Sequence, residues 1–115
     1  MTQNRNKLID IFIGNLTNSV VHTILEKAVK EDKDYLADKY RKEFITSLEI
    51  AKRYRDKINP ANIPLPEKDI SFIKEKIIRK VKAELRIRIS RGYQEINLNE
   101  IDKEVNEALK KTHIS

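Results

Sequence analysis

All three prolines of this chain lie between positions 60 and 66, and its only glycines are Gly14 and Gly92. In the run Asn59-Pro60-Ala61-Asn62-Ile63-Pro64-Leu65-Pro66, each proline lacks a backbone donor and pushes the residue before it out of helical geometry. A connector with a chain reversal is therefore expected at 59–66. On either side lie long stretches almost without helix breakers. With 39% hydrophobic and 37% charged residues, they suit helices better than a turn-rich β fold or a disordered chain. At 115 residues the chain predicts one domain at 1–115, with a single core or a core completed by oligomerisation.

Before the connector, Ile9, Ile13, Leu16, Val20, Ile24 and Ala28 recur at spacings of three and four, the period of one helix face. Leu8, Ile11, Phe12, Val21 and Leu25 widen this stripe until a helix over 8–29 is apolar almost all round. Such a helix is central to a core or part of a subunit interface. Ile13, Leu16, Val20 and Ile24 are accordingly the candidate interface, and a homodimer or another helical partner is expected. A second, amphipathic helix is predicted from Asp34 to Ile58, with Leu36, Tyr40, Phe44, Leu48 and Ala51 on its apolar side. Lys30-Glu31-Asp32-Lys33 contains neither Gly nor Pro, so a break between the two helices and one continuous helix both remain open.

After the connector, Pro66 suits the first turn of a third helix, where Glu67 and Asp69 complement the helix dipole. Ile70, Ile73, Ile77, Val81, Leu85 and Ile89 keep helical spacing, and Gly92 can end the helix. Leu85-Arg86-Ile87-Arg88-Ile89-Ser90 also alternates strictly, which allows a β-hairpin near 85–98 with its turn at Arg91-Gly92. A last helix opens on Asn97 and Glu100, three apart as in a capping box, and continues through Ile101, Val105 and Leu109. The expected fold is all-α, an antiparallel bundle of three to four helices, with helices plus one β-hairpin as the alternative.

The net charge is +6, and residues 67–93 carry +5 of it while 94–115 carry −2. Lys74, Arg79, Lys80, Lys82, Arg86, Arg88 and Arg91 form the candidate nucleic-acid-binding set. Cations about one turn apart hold phosphate backbones by displacing condensed counterions. They could equally form a solvated face, paired with Glu31, Asp32, Asp38 or the acidic last helix. Tyr35, Tyr40 and Tyr54 fall on or near apolar stripes and are expected in the core. Tyr93 is the candidate for stacking on a base, and with a hairpin it would join Arg86, Arg88 and Arg91 in a basic wing.

Little points to catalysis. Asn15, Ser19, His22 and Glu26 form a polar line on the first helix, and a His with a carboxylate one turn away can bind metal or act as a base. One such pair is far from a ligand set, and a hydrogen-bonded seam between helices is the commoner use of such a line. Two glycines rule out a Gly-rich phosphate loop. The absence of Cys excludes disulfides, thiolate nucleophiles and Cys-based zinc sites. His113 is expected to fray. No catalytic residue, metal or cofactor is expected. Asp10 and the polar residues 15–19 interrupt the N-terminal apolar run, so neither a leader nor a membrane partner is expected, and the cytoplasm is the expected location.

The stretch LADKYRKEFITSLEIAKRYRDKI (36–58) resembles the helical part of the archaeal ribonuclease P subunit that carries a zinc ribbon. It covers about a fifth of the chain, and its motif is an amphipathic helix with Arg and Tyr. The family's cysteines are all missing here, so no zinc ribbon and no site residue is carried over. The residues themselves point to a small basic helical protein that binds nucleic-acid backbones without catalysis, or to an oligomeric interaction module that uses its apolar first helix.

Overall fold

The computed structural model describes residues 4–29, 34–59, 63–92 and 96–114. It is all-α: α1 (Arg5–Val29), α2 (Asp34–Ile58), α3 (Glu67–Ser90) and α4 (Ile101–Lys111), the last preceded by a 3₁₀ turn at Leu98–Glu100. No strand occurs among the described residues. Residues 85–90 are helical to Ser90, so the hairpin that their alternation allowed does not form. Leu85 extends the fully buried row Ile73, Ile77 and Val81, and that burial holds the segment in helical phase. Gly92, at φ 106°, ends α3 as expected, with its N–H on the carbonyl of Ile89.

α1 packs against α2, α3 and α4. Cross-helix bonds from Glu26 to Arg41, His22 to Glu43 and Asn18 to Ser47 run in opposite senses along the chain, so α2 is antiparallel to α1. The two helices are therefore separate, although the turn at 30–33 lies outside the described residues. α3 runs parallel to α1, since Arg5 meets Asp69 and Asp10 meets Lys76. α4 runs back along α1, with Ile24 and Lys27 beside Asn97 and Glu100, and Val20 beside Ala108.

This surround explains how a short chain covers so apolar a helix. Phe12, Ile13, Leu16 and Leu25 are wholly buried, and Val20 and Ile24 nearly so. By length and composition alone, residues 5–28 could cross a membrane, with a mean hydropathy of 1.4 in the most apolar window, but 67% of that window is buried against the other helices. Of the tyrosines, Tyr40 is buried and Tyr54 half-buried, whereas Tyr35 is 75% exposed because it lies on the side of α2 turned away from buried Ala37 and Tyr40.

One end of the molecule is closed by Arg55, which is 1% exposed. Its guanidinium donates to the carbonyls of Asn59, Ile63 and His113 at 2.8, 3.1 and 3.2 Å, tying α2, the connector and the end of α4 together. His113 is thus held rather than frayed. With φ 60° it takes the left-handed position of a Schellman turn, its N–H bonding Lys110 O while Ile114 N–H reaches Leu109 O, and Ile114 is buried.

Candidate functional site

The polar line of α1 faces α2. Ser19 Oγ donates to Phe44 O at 3.0 Å, and Glu26 accepts from Arg41 at 2.9 Å, an interaction that raises the Arg41 pKa above its usual value. His22 has acceptors at both ring nitrogens: Nδ1 lies 2.8 Å from Asn18 O and Nε2 lies 2.7 Å from Glu43. Tyr40 packs beside this ring at 5.6 Å. Asn15 lies outside the seam and donates to Ile11 O within its own helix. The line is a satisfied contact between helices, and among the described residues no group of three or more potential metal ligands forms.

The seven candidate cations of α3 divide by direction. At 100° per residue, Arg79, Lys82 and Arg86 lie opposite the buried row of Ile73, Ile77, Val81 and Leu85, and all three are exposed. Lys80 and Arg88 lie on the edge facing α1, Lys74 is half-buried, and Arg91 caps the helix. None of the seven forms an ion pair with a described residue. Among the other described cations, Arg5 pairs with Asp69, Lys27 with Glu104 and Glu100, Arg41 with Glu26 and Asp38, Lys52 with Glu49 and Lys76 of α3 with Asp10, while Lys7, Lys39, Lys42, Arg53, Lys68, Lys103, Lys110 and Lys111 also form no ion pair with a described residue. The acids of α4 and Asp38 therefore do not neutralise α3, while Glu31 and Asp32 lie outside the described residues. Tyr93 also lies outside them.

Ile13, Leu16, Val20 and Ile24, the candidate interface, are buried in the chain's own core, because α2, α3 and α4 pack around α1.

Sequence reading missed an open groove of about 360 Å³ between α1 and α3. Gly14, Thr17, Asn18, Val21 and His22 line it from α1, and Lys80, Ala83, Glu84 and Arg88 from α3. The small residues leave the space: a Cβ added to Gly14 would meet nothing within 4 Å. Thr17, 7% exposed, has a buried hydroxyl with no hydrogen-bond partner. The other described threonines, Thr23, Thr46 and Thr112, each bond the carbonyl four residues back. The spacing 14, 17, 18, 21 was a detectable stripe of one helix face, but its counterpart on α3 is distant in sequence.

No protein-family model, curated protein or solved structure matches this chain.

Proposed function

We propose that this chain is a non-catalytic nucleic-acid-associated protein that holds phosphate backbones on the outward face of α3, within an up-down-up-down antiparallel bundle built around α1. One observation supports the reading: in the segment 67–93 that carries +5 of the net charge of +6, Arg79, Lys82 and Arg86 are exposed, about one 5.4 Å turn apart, and form no ion pair with a described residue. A row of unpaired cations is a poor surface for folding and a good one for a polyanion, because binding releases counterions from the strand. This role requires no metal or cofactor. The rival reading, self-association through α1, is less well supported because its residues lie in the core.

The test is fluorescence anisotropy with a labelled duplex and a labelled single strand at low salt. The parent protein binds, and the triple variant Arg79→Glu, Lys82→Glu, Arg86→Glu loses at least about tenfold in affinity, as expected when three phosphate contacts turn repulsive. No binding by the parent, or equal binding by the variant, contradicts the proposal.

A further inference from the structure

From the groove between α1 and α3 we infer a second element of recognition: a seat for one unpaired nucleotide of a bound strand, selective for bases that carry an exocyclic amine. The inference rests on the reading of α3 as a backbone-binding helix and adds what the outward cations cannot supply, a means of distinguishing bases. Three features converge. Lys80, Glu84 and Arg88 follow one another at i, i+4 and i+8 along the α3 edge of the groove, spanning about 12 Å at 1.5 Å per residue. None of the three forms an ion pair with a described residue, so among these residues a carboxylate stands between two cations without pairing to either. Across from them, the Thr17 hydroxyl is buried and unpartnered, a state costly enough to call for an explanation.

A simple anion fits this row badly, because Glu84 would repel it. A nucleotide within a strand fits: its flanking phosphates meet Lys80 and Arg88, and an amine on its base donates to Glu84, as cytosine N4 does to acidic side chains. Val21 and Ala83 offer apolar contact to the ring, while the Thr17 hydroxyl, buried in the unliganded chain, reaches the base edge by a turn of its side chain into the groove. The volume, about 360 Å³, suits a ligand of nucleotide size. A paired base cannot enter, since its edge is occupied, so the seat favours single strands. Cytosine and adenine present the amine, whereas thymine and uracil do not.

The test compares labelled oligo(dC), oligo(dT) and a duplex on the full chain, with Thr17→Val, Glu84→Gln and the outward triple variant. The parent prefers oligo(dC) to oligo(dT) by about fivefold, the size of one net hydrogen bond. Glu84→Gln erases the preference. Thr17→Val weakens oligo(dC) by a similar factor, leaves the duplex unchanged and melts no lower than the parent, which separates a binding role from a folding one. Equal affinity of the parent for oligo(dC) and oligo(dT), or Thr17→Val and Glu84→Gln proteins that bind like the parent, overturns the groove assignment. If the outward triple variant still loses affinity in that case, the backbone reading stands alone. A parent that binds no oligonucleotide overturns both. Saturable binding of free dCMP without binding of the strand also overturns this inference, because it assigns the groove to a free nucleotide.

Discussion

α1 presents a polar line to α2 and a groove to α3, and the polar groups on the two sides are treated in opposite ways. Toward α2, Ser19, His22 and Glu26 each meet a partner on the facing helix, and Asn18 donates to Ser47 at 2.6 Å. Toward α3, Thr17 meets none, and Lys80 and Arg88 across the groove form no ion pair with a described residue, although Arg5–Asp69 and Asp10–Lys76 join the same two helices nearer the start of α1. The difference teaches where to look for function in a small bundle. A polar group satisfied within the chain has been used for folding, and one left open at a groove is available to something else.

The comparison can be broken most severely on the α2 side. Ser47 is 6% exposed and packed against α1, so Ser47→Leu overfills the contact and removes the Asn18 partner; an unfolding titration is expected to show a loss of about 2–3 kcal/mol. A smaller effect is expected at Lys27, whose ammonium lies 2.7 Å from nearly buried Glu104. Lys27→Met leaves that carboxylate without its cation and costs about 1 kcal/mol, allowing for the exposure of Lys27 to solvent. The same pair has a pH signature. The hydrogen bond that Lys27 donates to Glu104, aided by the charges of Glu104 and Glu100, raises the Lys27 pKa above its ordinary 10.5, against a smaller opposing effect of burial. A raised folded value means that the contribution is complete below the unfolded value and fades as pH rises through the higher folded one. Urea midpoints across alkaline pH should show this fall for the parent and less of it for Lys27→Met.

On the α3 side the expected signs reverse. Gly14→Ala places a methyl where nothing lies within 4 Å and removes glycine from a helix interior, so the protein gains about 0.5–1 kcal/mol, read as a higher melting temperature. Thr17→Val is the smallest change, neutral or slightly stabilising, since it deletes a hydroxyl that bonds nothing. A clear destabilisation by Thr17→Val would show that the hydroxyl has a folding role and would remove the contrast between the two sides.

Much of the fold could be read in the residues. α2 has the bounds its amphipathic pattern predicts, and Asn97 caps the turn into α4, accepting from Asn99 N–H at 3.0 Å. Glu100 does not close the capping box; it lies 3.7 Å from Lys27. The segment 85–90 was ambiguous because its alternation satisfies strand and helix alike, and the choice depends on Leu85 reaching a core assembled from distant residues. Arg55 was invisible for a similar reason: nothing in its neighbourhood distinguishes it from Arg53 or Lys57, and its carbonyl partners, two in the connector and one after α4, are brought together only by the fold. The cations of α3 were legible as a cluster. Their division into an outward row and a groove edge was not, because it depends on where α1 lies.

The central claim, that Arg79, Lys82 and Arg86 hold phosphates, is tested most directly by the salt dependence of binding. Affinity for a duplex is measured over a range of salt for the parent and for Arg79→Ala, Lys82→Ala, Arg86→Ala. Loss of three phosphate contacts is expected to make the slope of log affinity against log salt shallower by about 2.7. Parallel slopes for the two proteins would contradict the account.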